Sequence, residues 1–301
     1  GSLPDQPTTW LLEPLIQDKQ SNILYGPGGS GKSYISLVCA LLTQYGLSHV
    51  SLSATAPTPA LILDYETSQD IVNTRIRELA DGLGITSPSV LYRFSTQPLA
   101  YDIQEIQRLV LKHNIGLLIV DSVGLACGGE TEGKSQSTID YFRALRSLRI
   151  ATLSIDHVAK DPKDKTPTPY GSVYKINLAR NAWEVRSTSE ENDDILKLGL
   201  YHRKINQGKL RPAIGISLFF QDGSIIVDDT EVKSDAELVR GLALRTRIDQ
   251  ALKEHGSLDD EQLHQYLESD KAVIRSTLYR NKKMFLRLEN KKWARLSNQA
   301  S

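Results

Sequence analysis

Short apolar runs alternate with amphipathic stretches from residue 22 to about residue 228 of the chain. Apolar residues that recur at helical spacing predict helices at residues 32–45, 68–83, 102–113 and 137–148. Apolar runs bounded by turn residues predict strands at residues 21–25, 60–64, 91–94, 117–120 and 151–156. The alternation of strands with helices predicts an α/β fold with a parallel sheet and right-handed connections.

The pattern changes after residue 156. Four strand-like stretches follow, and turns rich in Asn, Asp and Gly join them: residues 182–186, 194–201, 214–220 and 224–228. Because short turns join antiparallel neighbours, we expect these strands to be antiparallel additions to the sheet. The fully apolar run at residues 117–120 is typical of a central strand that is covered on both faces.

A short polar stretch at residues 229–234 precedes the C-terminal part of the chain. Beyond it the pattern predicts three helices and two strands, at residues 238–255, 259–267, 271–281, 284–289 and 292–296. Three helices followed by a hairpin are typical of a winged helix. The sequence therefore predicts two domains, residues 1–234 and 235–301, and residues 1–2 have the composition of an expression scar.

Composition removes several classes of protein. Of the 301 residues, 40% are hydrophobic and 24% are charged, which excludes wholesale disorder. No apolar run reaches the roughly 18 residues that a membrane helix needs. Two cysteines are too few for a disulfide framework or a zinc site, so we expect a reducing, cytoplasmic environment. Lysine and arginine number 36, as do aspartate and glutamate, so the net charge gives no information about nucleic acid.

One segment matches the phosphate-loop pattern G-x-x-x-x-G-K-[ST] in full: Gly26, Pro27, Gly28, Gly29, Ser30, Gly31, Lys32 and Ser33. The motif follows a predicted strand and begins a predicted helix, which argues against a chance glycine-rich turn. Glycines allow the backbone N–H groups to curl around a polyphosphate, and the helix N-terminus favours the anion. We expect Lys32 to reach the β- and γ-phosphates of ATP and Ser33 to bind Mg²⁺, with Tyr34 also in the nucleotide site.

Two acidic residues stand at the ends of predicted strands. Asp121 follows the apolar run 117–120, where a carboxylate completes the Mg²⁺ shell of such sites; the alternative is an ordinary acidic residue at the start of a loop. Ser122 comes next rather than a glutamate, so the group that activates water must come from elsewhere. Glu66 follows the strand 60–64 at the edge where ligands gather in open α/β sheets, although a solvated glutamate is also compatible with this position.

These features resemble the RecA-like ATPases and, within them, the RepA-type hexameric replicative helicases of plasmids and mobile elements. The similarity covers roughly residues 10–228. Beyond the phosphate loop it is carried by Asp156-His157, by the segment 171–185 and by the sequence YHRKINQG at residues 201–208. The resemblance implies a RecA-like sheet with a parallel core and antiparallel additions, whereas the winged-helix-like domain lies outside the minimal family pattern.

The resemblance also implies roles for individual residues. Glu66 matches the catalytic glutamate, and His157 matches a histidine that senses the γ-phosphate and links it to DNA. Arg180 matches an arginine that is delivered to the neighbouring subunit. Lys204 resembles a lysine that points across the same interface. Arg203 precedes Lys204, so it is open which of these cations is the arginine finger, the cation that one subunit supplies to the nucleotide of its neighbour. We favour Arg180. The alternative interpretation of Arg180 is a solvated surface arginine.

Basic residues suggest two places for nucleic acid. Two loops, at residues 127–137 and 158–170, carry Lys134, Lys160 and Lys163. Flexible cationic loops can follow a sugar–phosphate backbone, but mobile surface loops with such residues are also common.

The C-terminal module is more strongly basic. Residues 271–295 contain nine lysines and arginines against the single acid Glu289. The predicted helix 271–281 would be the recognition helix, and we expect contacts to DNA from Arg275, Arg280, Lys282 and Lys283. A solvated basic face and a protein-docking module are the alternatives.

The sequence therefore predicts an enzyme that hydrolyses ATP with Mg²⁺ at subunit interfaces. We expect a homo-oligomeric ring, with a hexamer favoured, that moves on single-stranded DNA as a replicative helicase of a mobile element. The C-terminal domain would bind duplex DNA or a replication partner protein. Two alternatives remain: a RecA- or RadA-like strand-exchange ATPase, and a DNA-binding regulator switched by nucleotide.

Overall fold

The computed structural model describes residues 8–128, 134–158, 173–188 and 194–296, with the backbone alone at 134, 135, 173, 174 and 236. The chain forms two compact units, Gly1–Val232 and Lys233–Ser301. Within the described ranges, no helix is both long and apolar enough to cross a membrane.

The first unit combines strands and helices in alternation. Its strands are β1 (Trp10–Glu13), β2 (Ile16–Gln17), β3 (Ser21–Gly26), β4 (Ser48–His49), β5 (Leu52–Ala54), β6 (Ala60–Asp64), β7 (Leu91–Phe94), β8 (Leu117–Asp121), β9 (Ala151–His157), β10 (Asn181–Thr188), β11 (Ile195–Ile205), β12 (Ile214–Gln221) and β13 (Ser224–Asp229). Its helices are α1 (Lys32–Tyr45), α2 (Gln69–Gly82), α3 (Leu99–His113), α4 (Val123–Ala126), α5 (Lys134–Ser147) and α6 (Val173–Leu178).

A nine-stranded sheet forms the centre of this unit, in the order β13-β12-β11-β10-β3-β9-β8-β6-β7. The strands from β10 to β7 are mutually parallel, and β11, β12 and β13 are antiparallel additions. The predicted α/β class, the parallel core and the antiparallel additions are confirmed, and the fold is RecA-like. The central strands are apolar because helices cover both faces: one core includes α1 and α2, and the other includes α3, α4 and α5.

The antiparallel extension curls over α1 and reaches α2. Leu198 of β11 lies against Gly31, which precedes α1, and Ile225 of β13 lies against Gly82 at the end of α2. A Cβ atom on Gly82 would stand 2.0 Å from the carbonyl oxygen of Ile225, so a side chain has no room there. The extension therefore closes the core on the α1 side.

A small four-stranded sheet, in the order β2-β1-β5-β4, was not predicted from the sequence. Each of its strands has two to four residues, which is too short to show a period of two. It buries Leu12, Leu15 and Ile16 against the core of α1.

A buried polar network holds the amino-terminal edge of the large sheet. The Asn22 side-chain oxygen accepts from Asn181 Nδ2 at 2.8 Å, and Asn181 Oδ1 contacts His202 Nε2 at 2.8 Å. Because His202 Nδ1 accepts from the backbone N–H of Arg211 at 2.8 Å, Nε2 carries the proton of the neutral ring. Burial lowers the pKa of His202 to about 4. The network fixes the start of β10 beside β3.

The second unit contains α7 (Ala236–Val239), α8 (Leu244–His255), α9 (Asp260–Leu267), α10 (Lys271–Arg280), β14 (Phe285–Arg287) and β15 (Trp293–Arg295). The prediction of one helix over residues 238–255 is wrong, because the chain leaves the helix around Gly241, where a turn separates α7 from α8. Ile274 and Leu278 of α10 pack on Phe285 and Trp293 of the hairpin. Asp259 caps α9 by accepting from two backbone N–H groups and so fixes where the helix begins.

Candidate nucleotide-binding site

The phosphate loop joins the end of β3 to the start of α1. Gly29 and Gly31 have φ angles of 76° and 77°, a backbone region that side chains other than glycine rarely adopt. Gly26 has no room for a Cβ atom, which would stand 2.4 Å from the carbonyl oxygen of Val185. These glycines allow the loop to turn back on itself and leave the N–H groups at the start of α1 available to an anion.

Lys32 lies inside this loop and is only 3% exposed. Its ammonium donates to the carbonyl oxygens of Gly26 at 3.0 Å and Pro27 at 2.6 Å. Burial lowers the pKa of Lys32 to about 8, against the opposing effect of three carboxylates, those of Asp121, Asp156 and Glu66. Lys32 therefore presents a desolvated cation that a phosphate group can attract strongly.

Ser33 and Asp121 meet directly beside the loop. The Ser33 hydroxyl donates to Asp121 Oδ2 at 2.7 Å. Burial raises the pKa of Asp121, and the Ser33 hydrogen bond works against that rise. A hydroxyl and a carboxylate are oxygen donors that suit Mg²⁺ when phosphate oxygens complete the shell. The described part of the chain has no cluster of three His, Cys, Asp or Glu residues able to hold a metal by themselves.

Glu66 is placed by a turn that Asp64 organises. The Asp64 carboxylate accepts from the backbone N–H groups of Glu66 at 2.9 Å and Thr67 at 3.1 Å. Tyr92 on the neighbouring strand β7 donates its hydroxyl to Asp64 at 3.3 Å. This support was not predicted from the sequence, although an Asp that ends a strand two residues before a Glu is a recognisable turn signal.

The ends of three neighbouring strands bring Glu66, Ser122 and His157 together. The Ser122 hydroxyl donates to Glu66 Oε1, and His157 Nε2 lies 3.7 Å from the same oxygen. The His157 imidazole contributes most to holding the pKa of Glu66 below its usual range, while burial opposes it. Glu66 is therefore an ionised, partly exposed carboxylate at the phosphate-loop edge of the sheet. Ser122 orients the Glu66 carboxylate. From the sequence, Ser122 was noted only because it follows Asp121 in place of a second acidic residue.

Tyr34 follows Ser33 in the first turn of α1 and packs beside the loop. Its ring meets Phe220 of β12 edge to face at a centroid distance of 5.4 Å. The guanidinium of Arg75 on α2 lies 5.0 Å from the centre of the Tyr34 ring. Tyr34 is thus held by β12 and α2, two elements that the sequence did not connect with it.

A buried ion pair lies next to His157. Lys175 on α6 donates to Asp156 Oδ1 at 3.0 Å, and the two residues are 5% and 2% exposed. Burial raises the pKa of Asp156, and the Lys175 ammonium opposes that rise. Lys175 was not predicted from the sequence, because 19 residues separate the two partners along the chain.

Arg180, the favoured finger residue, lies at the opposite edge of the sheet from the phosphate loop. Arg203, in contrast, pairs with Glu184, which stands beside Tyr25 next to the loop. The backbone N–H of Arg180 donates to Ser21, the first residue of β3, at 2.8 Å, whereas the loop begins at the other end of that strand. Five residue steps of a parallel strand span about 17 Å. The guanidinium of Arg180 therefore lies far from the phosphate loop of its own chain.

The three candidate cations differ in their partners. Arg203 pairs with the buried carboxylate of Glu184 at 2.6 Å. Lys204 donates to three carbonyl oxygens at 2.7–2.8 Å, those of Ile176, Asn177 and Ala179. Arg180 is exposed, and its side chain makes no hydrogen bond or ion pair with any residue that the structure describes. Burial and the nearby Arg180 guanidinium both lower the pKa of Lys204.

The predicted DNA contacts are only partly within the described residues. Lys160 and Lys163 lie outside them, and Lys134 begins α5 with its side chain outside them. Arg275 pairs with Asp260 at 2.7 Å. Three other cations are exposed or half-exposed and unpaired within the described ranges: Arg280, Lys282 and Lys283.

Comparisons with known proteins give a family match and similar solved structures. A family model described as an AAA domain matches residues 2–163, just over half of the 301-residue chain. Among similar solved structures is a KaiC-like protein of the hyperthermophilic archaeon Pyrococcus horikoshii, which is 14% identical with a TM-score of 0.49. That similarity covers 72% of this chain and 93% of the archaeal chain. No curated protein matches the sequence.

Proposed function

The chain belongs to the AAA domain family and is a P-loop ATPase with a RecA-like fold, and we propose that it works as a ring motor. In this proposal it hydrolyses ATP with Mg²⁺ at subunit interfaces and moves on single-stranded DNA, as a replicative helicase of a mobile element. The observation that carries the proposal is the separation of Arg180 from the phosphate loop by the length of β3.

The phosphate-loop edge holds the nucleotide. Lys32 exchanges its two carbonyl partners for phosphate oxygens, and the N–H groups at the start of α1 receive the same anion. Ser33 and Asp121 would hold Mg²⁺, which offsets negative charge on the phosphates when bound. These residues account for nucleotide binding within one subunit.

Hydrolysis requires a water molecule to be oriented and deprotonated. Glu66 is suited to this because it is ionised, partly exposed and held by Ser122 and His157 at the phosphate-loop edge. His157 also touches the group that faces the γ-phosphate, so its ring is placed to respond to the state of the nucleotide.

The transition state of phosphoryl transfer spreads charge over the γ-phosphate oxygens, and a cation there accelerates the reaction by about 10³- to 10⁵-fold. Within the described residues, the first-unit cation best placed to act in a second subunit is Arg180, since Arg203 and Lys204 are engaged inside their own chain. An exposed guanidinium next to a second cation favours an anionic partner. We propose that this partner is the γ-phosphate bound by the neighbouring subunit.

The role on DNA rests on the resemblance of the motifs to RepA-type helicases and on charge. A ring with expected hexameric symmetry would carry the predicted contacts Lys134, Lys160 and Lys163 toward single-stranded DNA. A second candidate function is a nucleotide-switched regulator that binds duplex DNA. The unpaired Arg280, Lys282 and Lys283 of the second unit favour it, because free cations on a small helical unit with a hairpin suit phosphate contacts.

The deciding experiment measures steady-state ATP hydrolysis with and without single-stranded DNA, while light scattering reports the assembly state in the same buffer. A closed oligomer whose turnover rises at least tenfold with single-stranded DNA supports the motor. A monomer that ignores single-stranded DNA contradicts the motor and favours the regulator, for which duplex binding by the full chain is the next measurement.

Shared sites are tested by mixing variants. Arg180→Ala should bind nucleotide normally but lose about 10³-fold or more in turnover, and Lys32→Ala should not bind nucleotide. A mixture should recover activity, because Lys32→Ala subunits donate Arg180 to intact sites. Arg108→Ala, at an exposed position on α3, is the matched control and should hydrolyse ATP normally. Failure of every mixing ratio to recover activity would refute the donated arginine.

A further inference from the structure

We propose that Asp156 and Lys175 are positioning residues whose buried ion pair fixes α6 and thereby Arg180, the arginine given to the neighbouring subunit. The inference rests on the proposed trans role of Arg180. It assigns to Lys175 a part in donating the finger and no part in binding nucleotide in its own subunit.

The first fastening of α6 lies at the phosphate-loop edge. Asp156 stands beside Tyr25 of β3 in the sheet, one residue before His157. Its Oδ1 accepts from Lys175, and its buried Oδ2 has no hydrogen-bond partner among the residues described. The Lys175 ammonium is therefore the main compensation of a carboxylate removed from water, so the pair resists separation.

The second fastening lies at the C-terminus of the same helix. Lys204, on β11, donates to three carbonyl oxygens in and just after the last turn of α6. A cation at a helix C-terminus is favoured by the helix dipole and satisfies carbonyls that lack partners within the helix. Two lysines thus fasten a helix of six residues, about 9 Å long, one from its third residue and one at its C-terminus.

Arg180 follows directly from this helix. Ala179 is fully buried, the backbone N–H of Arg180 donates to Ser21, and the backbone oxygen of Arg180 accepts from Asn206 at 2.9 Å. The backbone at position 180 is therefore fixed while the guanidinium stays exposed. A helix fastened by these two lysines transmits the position of Asp156, beside the nucleotide site, to the residue that serves the next subunit.

Loss of the ion pair should lower the turnover of ATP without lowering the affinity for nucleotide. Lys175→Met removes the fastening at the phosphate-loop edge, yet Lys175 makes no hydrogen bond to the loop in the structure as described. At pH 7, where Lys32 is mostly protonated, the nucleotide affinity of this variant should stay within about twofold of the parent, whereas turnover of the pure variant should fall at least tenfold. A merely structural defect would lower both.

Mixed oligomers locate the defect. When the Lys175→Met variant is mixed with Lys32→Ala, it should regain turnover. Its own nucleotide sites are intact, and the Lys32→Ala subunits supply a correctly placed Arg180 to them. When it is mixed with Arg180→Ala, it should not regain turnover, because neither variant then donates a finger correctly. The mixture of Lys32→Ala with Arg180→Ala is the reference, and Arg108→Ala in place of Lys175→Met is the matched control.

Two failures are distinguishable. If the reference mixture shows no recovery, the trans arginine is wrong and the inference falls with it. If the reference recovers and Lys175→Met also rescues Arg180→Ala, the proposed function stands and the positioning role of Lys175 is refuted. Asp156→Asn with Lys175→Met removes the pair without leaving a buried charge, so it tests the same prediction if the single variant does not fold.

Discussion

The lowered pKa of Lys32 makes a quantitative prediction about ATP binding. Burial in the loop brings the pKa to about 8, so the ammonium loses its proton in a range that is accessible to experiment. A bound polyphosphate favours the charged form of Lys32. The affinity for ATP is therefore proportional to the fraction of free protein in which Lys32 is protonated. Affinity should be nearly constant below pH 7.5 and should fall as the pH rises above 8.

The size of the effect follows from that pKa. About three quarters of Lys32 is protonated at pH 7.5 and about one tenth at pH 9.0. If only the ammonium form binds well, the dissociation constant for MgATP rises about eightfold between these values, which corresponds to about 1.3 kcal/mol. The terminal phosphate of ATP is already ionised over this range, so the change belongs to the protein.

Calorimetric titration of the Glu66→Gln protein with MgATP at pH 7.5, 8.25 and 9.0 measures the dissociation constant without hydrolysis. Lys32→Arg in the same background is the matched control, because a guanidinium keeps its proton above pH 12 and its affinity should change less than twofold. A parent affinity that is unchanged between pH 7.5 and 9.0 would show that Lys32 is not desolvated in the way described. An equal loss in parent and control would assign the change to another group.

Three further predictions test the site and the fold. Glu66→Gln should bind MgATP normally and lose about 10²- to 10⁴-fold in single-turnover hydrolysis, whereas Glu105→Gln on the exposed side of α3 should not. Because the pKa of His202 is lowered from 6.5 to about 4, the free energy of unfolding in urea should fall by about 2 kcal/mol from pH 7 to pH 5, and His202→Gln should lack this loss. Gly82→Ala should destabilise by about 1–3 kcal/mol because its Cβ meets Ile225, whereas Gly124→Ala, with open space around it, should not; equal effects on the melting temperature would contradict the packing described.

The main sheet was predictable because its strands are apolar along their whole length. The run at residues 117–120 reads as a central strand and becomes β8, with no exposed surface on any of its four apolar residues. The small sheet of β1, β2, β4 and β5 was not predictable, because its strands are shorter than the window that periodicity needs. The helix predicted at residues 238–255 failed for a different reason: its hydrophobic pattern continues through a turn around Gly241.

Some residues of the candidate site were predictable from the sequence and others were not. Lys32, Ser33, Asp121 and Glu66 were predicted because a local motif or a strand end marks each of them. The Asp156–Lys175 pair and the Glu184–Arg203 pair join residues on different elements, and nothing in the local sequence of either partner indicates its companion. Such pairs become visible only when the sheet sets the register of β9, β10 and β11.

The direction of β3 gives the two ends of this sheet opposite chemical roles. Its carboxyl end carries the phosphate loop, where Lys32 supplies a cation that binds ATP but is already needed for the phosphates of the ground state. Its amino end carries Arg180, which is exposed and lies the length of β3, about 17 Å, from the loop, so it is too far away to serve the γ-phosphate bound by its own subunit. Under the proposed function, such a site should hydrolyse ATP slowly until a second copy presents its amino edge. In that proposal turnover depends on assembly, and the fastening of α6 by Asp156 and Lys204 gives each subunit a physical route from its own nucleotide to that of its neighbour.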